Sequence, residues 1–324
     1  GNPAQSIGGG IASRIGTLTV KNSTISNNTA GDGGGLRNDN GTLTVVQSVI
    51  TGNVAYRGGG IYCRDATGTT TISQSTISGN VARNFGGGLA SYTQYYQLGA
   101  VAIDQSTIRL NTGSYGGGIT IFRAALSVSQ STIAGNGNSG NDPSGIREGG
   151  ICTSNYGTPA ATLTNTIVMG NTWNGQPSDL SRSGGVSADS RNNLIGDPNT
   201  AGGLTNGVNG NIVGASDGAG GRTMLNMASV LLPAPVSFNG ALPIAPLFTG
   251  SPALNAGNNA LIPADTFDRD GDGNTTELSP FDERGAGFDR VLDGTVDIGA
   301  SEGVPVIVGV TVQATSPKTA EDGS

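Results

Sequence analysis

Apolar and polar positions follow one arrangement six times between Leu18 and Asn171. Each copy runs apolar, any, aliphatic, any, Asn or Gln, Ser or Thr, any, Ile or Val, two of any kind, then Asn. The first column holds Leu18, Leu43, Thr70, Val101, Leu126 and Ala161, and the second Val20, Val45, Ile72, Ile103, Val128 and Leu163. An amide column follows (Asn22, Gln47, Gln74, Gln105, Gln130, Asn165), then a branched one (Ile25, Ile50, Ile77, Ile108, Ile133, Val168). Every copy closes on Asn, at Asn28, Asn53, Asn80, Asn111, Asn136 and Asn171. A glycine run and an aliphatic residue open each copy, ending at Ile11, Leu36, Ile61, Leu89, Ile119 and Ile151.

The spacing of two in Leu18-x-Val20-x-Asn22 predicts short strands with one face turned inward; the spacing of three and four that marks a helix is missing. A copy this short cannot bury its own apolar face, so the copies stack as a solenoid. The predicted fold is all-β, a right-handed parallel β-helix over residues 1–231. Coils about 4.8 Å apart put like residues over one another, so the closing Asn column becomes a ladder of amides that satisfy each other's donors and acceptors. Glycine runs suit sharp corners.

Certain residues carry a likeness to a known group. Ser75-Thr76-Ile77-Ser78-Gly79-Asn80 and Gly58-Gly59-Gly60-Ile61 resemble the parallel β-helix repeats of bacterial surface proteins related to the polymorphic outer-membrane protein repeat. Ser251 to Asn258, Asp282 to Gly285 and Asp297 to Glu302 are similar to the closing signature of the choice-of-anchor Q domain. The resemblance covers roughly residues 1–303 and implies a secreted or surface-displayed protein; it specifies fold far better than activity.

Beyond Asn171 the repeat decays, with traces at Asn193-Leu194-Ile195-Gly196 and Asn211-Ile212-Val213-Gly214. Residues 232–303 read as irregular coils, a cap over the open end and an acidic loop, with an Arg284–Asp297 pair holding the cap. Residues 304–324 read as a linking strand into a following β-sandwich-like module, and Gly1-Asn2 as the end of an earlier coil.

Charge narrows the partners. The net charge is -7, charged residues are 12% of the chain, and no basic run is present, which argues against nucleic acid. No apolar stretch is long enough to span a membrane as a helix. Without histidine, zinc sites and His-based nucleophile relays are excluded. Cys63 and Cys152 lie three coils apart, roughly 14 Å along the stack and too far for a disulfide.

Two segments carry ligand chemistry. Asp268, Asp270, Asp272 and Asn274 alternate, with Gly273 at the sixth position, as in a loop that wraps hard oxygen ligands around calcium. Ser279 stands at the twelfth position where a Glu is wanted, and Glu277 comes two residues early. A solvated acidic turn is the competing interpretation. The second segment holds Tyr92, Tyr95 and Tyr96, beside Phe85 and Tyr115 on adjacent coils, and could meet a glycan or partner or simply pack over the coils.

A carbohydrate-active enzyme such as a polysaccharide lyase would need convergent carboxylates on one face. Asp32, Asp39, Asp65, Asp104, Asp142 and Glu148 fall on different columns, and Arg37, Arg64 and Arg123 sit one, three and four residues past their corner aliphatics. Only Asp32 and Arg57 match on adjacent coils, as a surface ion pair. The sequence therefore points to a non-catalytic structural or adhesive module of a large extracellular bacterial protein or filament, meeting other domains, copies of itself or glycans. The carbohydrate-active enzyme is the alternative.

Overall fold

The structure, a computed structural model, describes residues 8–65, 68–93, 99–138, 148–154, 161–180, 185–232 and 243–303. The expected linker strand at 304–324, Tyr95, Tyr96 and Asp142 lie outside them. The chain winds as a parallel β-solenoid of about six turns, and among the described residues helical content is confined to short 3-10 turns.

Three parallel sheets form the walls. In the first, Ile11–Lys21 pairs in register with Leu36–Val46, which feeds two arms: Ile61–Arg64, Leu89–Tyr92, Ile119–Phe122 and Ile151–Ser154, and Thr69–Ser73, Ala100–Asp104, Ala125–Ser129 and Thr162–Thr164. The second stacks Thr24–Ser26, Val49–Thr51, Thr76–Ser78, Thr107–Arg109, Thr132–Ala134, Ile167–Met169, Leu194–Ile195 and Ile212–Val213. The third includes Thr29–Asp32, Val54–Arg57, Val81–Ala82 and Thr112–Gly113. Register keeps each sequence column on one line, as in Ile50 beside Ile77 and Ile77 beside Ile108.

These columns make the core. Leu36, Ile61, Leu89 and Ile119 face inward from one wall and Ile50, Ile77, Ile108 and Ile133 from another, all fully buried. The closing asparagines form the expected ladder. Asn80 Nδ2 donates to Asn111 Oδ1 at 2.9 Å and to the Ile50 carbonyl at 2.9 Å, while Asn80 Oδ1 accepts from the backbone and side-chain nitrogens of Asn53 at 3.0 Å. Each interior Asn thus uses both donors and both lone pairs, so a polar residue costs nothing in an apolar setting. At Gly60 an added Cβ would lie 2.5 Å from the Gly88 carbonyl oxygen of the next coil, so the corner column admits no side chain.

A second ladder, unforeseen in the sequence, runs through the Ser/Thr column. The Ser75 N–H donates to Ser106 Oγ at 3.2 Å and the Ser106 N–H to Ser131 Oγ at 3.1 Å, each hydroxyl donating in turn to the carbonyl two residues back. The preceding amide column adopts the left-handed conformation throughout, with φ between 42° and 50°. Asn and Gln tolerate that turn better than branched residues do.

Past Asn171 the winding continues irregularly: Leu180 bridges Ile151, Val186 bridges Ala161, and Ile212–Val213 pairs with Leu194–Ile195. The cap expected over the open end is placed elsewhere. Described residues 243–303 run along the outside of the second sheet. Thr76 Oγ1 donates to the Pro243 carbonyl at 2.9 Å, the Ala300 N–H to Thr132 Oγ1 at 3.1 Å, and the Gly299 N–H to the Asn165 carbonyl at 2.9 Å. The reason lies in the outer face of that sheet, where Ala134, Ile167, Met169 and Leu194 are apolar and pack with Val230, Leu231, Ala245, Leu247, Ala253 and Ile298 in a second core.

Candidate functional site

The corner between the third sheet and the first collects the charged residues of the early coils. Arg37 lies on the outer face one residue past Leu36, and Tyr62 is its neighbour on the next coil; Asp39 and Arg64 are neighbours two residues further along. Arg57 enters from the third sheet beside Asp32. Arg37 Nη1 meets Asp32 Oδ2 at 2.8 Å, and its Nε and Nη2 reach Asp39 at 3.1 and 2.9 Å. Arg57 grips Asp32 with Nε at 2.6 Å and Nη2 at 2.7 Å. Arg64 stands further off, 3.5 Å from Asp39 and 3.8 Å from Asp65.

One expectation needs correction here. Asp32 and Arg57 do pair across adjacent coils, but Asp32 is only 12% exposed along its side chain and is shared with Arg37, so this is no surface pair. Arg37 and Arg64 share no column, as expected, yet both reach Asp39, because offsets of one and three have the same parity and point to the same side of a strand. That parity was the available signal.

Tyr62 lies at the centre of the cluster. The Arg57 and Arg37 guanidinium groups stand 5.2 and 5.7 Å from its ring centroid. Its side chain is fully buried, its hydroxyl has no hydrogen-bond partner, and burial pushes its pKa up to about 12. An aromatic wall continues along the stack: Phe85 lies 6.1 Å from Tyr62 and 5.2 Å from Phe122, and Tyr92 lies 5.8 Å from Phe122. Phe85 bridges Tyr115 as the matching columns suggested. Tyr92, among the tyrosines singled out for glycan or partner contact, therefore belongs to this wall.

The acidic loop is placed on the flank. Asp268, Asp270 and Asp272 bring carboxylate oxygens within 4.8 Å of one another, as do Asp265, Asp270 and Glu277. Asp265 is engaged by the Arg269 guanidinium and backbone N–H, leaving the first trio as the better set for a hard cation. Asn274 Oδ1 accepts from Thr276, and Asn274 Nδ2 donates to Glu277 Oε2 at 3.2 Å. Ser279, at the twelfth position, points to the Phe281 carbonyl at 3.3 Å. Desolvation, with Asp270 and Asp272 beside it, raises the Glu277 pKa.

Among the described residues, half of the buried charged side chains belong to the flank. Arg284 is bound to Asp282 and the Glu302 carbonyl, not to Asp297 as expected; Asp282 lies two residues away in the same turn, while Asp297 already accepts from the Asn255 and Gly303 N–H groups. Arg290, 1% exposed, pairs with Glu302 at 2.8 Å. Glu283 accepts from the Thr107 hydroxyl at 2.6 Å and the Thr107 N–H at 3.0 Å, and burial pushes its pKa up to about 8. At the end of the Asn ladder Asp179 accepts from the Asn171 N–H at 3.1 Å and Nδ2 at 2.9 Å, and burial pushes it up to about 7. The repeat columns marked neither Glu283 nor Asp179, because each occurs once; Glu283 stood in the sequence only as part of the Asp282–Gly285 segment, with no role of its own.

Cys63 and Cys152 are both buried and form no disulfide with each other. Among the described residues no helix is long and apolar enough to cross a membrane. No family model, no curated protein and no solved structure matches this chain.

Proposed function

We propose that the chain is a non-catalytic structural and binding module of a larger bacterial surface protein, presenting the Arg57–Arg64–Phe122 corner outward. The observation that carries this reading is the state of the two carboxylates at the corner: Asp32 and Asp39 are both held by Arg37, and Asp32 by Arg57 as well. Acid–base chemistry needs one carboxyl that can hold a proton and another free to accept one. A ligand on this face meets a rigid, pre-paired surface instead. Surface display is supported by the motifs that resemble β-helix repeats and the choice-of-anchor Q signature, and by the low charge of the chain.

Incubation with polygalacturonate and alginate, with and without calcium, should yield no unsaturated products and no new reducing ends. Turnover lost on Asp32→Asn or Asp39→Asn would replace this reading with the carbohydrate-active alternative. The oxygen trio of Asp268, Asp270 and Asp272 supports calcium as a structural ligand of the same module. Calcium at a hundredfold excess over its dissociation constant should then stabilise the fold by about 2.7 kcal/mol, with the gain abolished by Asp270→Asn. A melting temperature indifferent to chelator would leave the loop as a solvated turn.

A further inference from the structure

At the corner cluster, the acceptors are saturated and two donors are not. Every carboxylate oxygen of Asp32 and Asp39 already accepts from Arg37 or Arg57. The Tyr62 hydroxyl and Arg64 Nε are buried without a hydrogen-bond partner, and the Arg64 contacts to Asp39 and Asp65, at 3.5 and 3.8 Å, are ion pairs too long for good hydrogen bonds. Both unpaired groups belong to Ile61–Arg64 and point to the same outer face, two residues apart. Buried donors left unpaired cost free energy that an incoming acceptor recovers, most of all a charged one. Arg64 is 37% exposed along its side chain while its Nε and the Tyr62 hydroxyl are covered, so an anion reaches both donors as the Arg64 side chain swings outward.

The surroundings say what carries that anion. Phe85, Tyr92 and Phe122 extend the site along the stack with ring centroids 5.2 to 6.1 Å apart, about the rise from one coil to the next and about the length of a hexose unit. Aromatic rings offer apolar contact to the C–H faces of sugars. A peptide would seek a free strand edge, but Leu89–Tyr92 is paired on both sides, with Ile61–Arg64 and with Ile119–Phe122. We propose that this corner binds an acidic glycan, the carboxylate of a uronic acid unit received by Arg64 and Tyr62 and the adjoining sugars laid along the wall of Phe85, Tyr92 and Phe122. This rests on the reading of the solenoid as a binding module that leaves its ligand intact.

The test is calorimetric titration of the whole chain with galacturonic and glucuronic acid trisaccharides, their methyl esters and a glutamate-rich hexapeptide. At least one free acid should bind about tenfold more tightly than its ester, the scale of one charge-assisted contact. Arg64→Gln should reduce the acid to the affinity of the ester, and Tyr62→Phe should weaken it severalfold. Arg191→Gln, at an exposed position far along the stack, should change nothing. Melting curves of Arg64→Gln matching the parent show that lost binding is not lost folding. Equal affinity for acid and ester, equal affinity for the peptide, binding indifferent to Arg64→Gln, or no binding of either acid would each overturn the proposal. Cleavage of a bound trisaccharide would overturn the non-catalytic reading instead, while leaving the site in place.

Discussion

The repeated coils and the flank that covers them bury polar groups in opposite ways. In the coils the interior polar residues are neutral and identical, and each asparagine is satisfied by the asparagines above and below, as Asn111 is by Asn80 and Asn136. Under the flank the buried groups are charged and unlike: Arg284 with Asp282, Arg290 with Glu302, Arg269 with Asp265 and Asp104. A ladder can be lengthened or shortened by whole coils without leaving a group unmatched at its interior. Most of these pairs join flank residues to one another and hold its own path, while Arg269 on Asp104 and Glu283 on Thr107 cross to the coils and fix where the flank docks. The desolvation cost of such pairs makes them a device for specificity more than for stability.

Removing one charge of a unique pair should have the largest effect. Arg290→Met leaves Glu302 buried without its partner, and the loss should be about 3–5 kcal/mol. Hydrogen exchange should accelerate across 251–303 while the coils of 36–138 keep their protection; equal acceleration in both would mean that flank and coils form one cooperative unit. Asn80→Leu should come next, destabilising by about 1–3 kcal/mol through the polar atoms it strands on Asn53, Asn111 and the Ile50 carbonyl. Here exchange should accelerate in the neighbouring coils first, and a neutral result would remove the ladder from the account of stability.

A gentler probe is pH. Asp179 and Glu283 have folded pKa values raised to about 7 and about 8, above those of an unfolded chain, by burial. Their protonated forms favour the folded state, so their contribution is fully present below the unfolded carboxyl range and is lost as pH rises through 7 and 8. The melting temperature should therefore rise by a few degrees between pH 8.5 and about 5.5. Glu283→Gln should reduce the part of that slope belonging to the flank, where Glu302, also raised to about 8 by burial, supplies the remainder, and a melting temperature that falls over the same interval would show these groups ionised in the folded protein.

The repeat columns alone determined the coils. Periodicity of two, a branched aliphatic at a fixed offset and an Asn closing each copy specify strands, inward face, register and ladder, because stacking forces like residues into contact. The same logic was silent wherever a residue occurs once. Tertiary structure decided that the flank lies along the second sheet rather than over the end, since the apolar outer face of Ile167 and Met169 became visible only when the sheet was assembled. It also decided the partners of Arg284 and the meeting of Arg37, Arg57 and Arg64 with Tyr62 at one corner. Their sequence spacing gives the side of each strand, but not how the third sheet turns to face the first. Local chemistry repeats and can be counted, whereas which unique charges meet depends on the path of the whole chain.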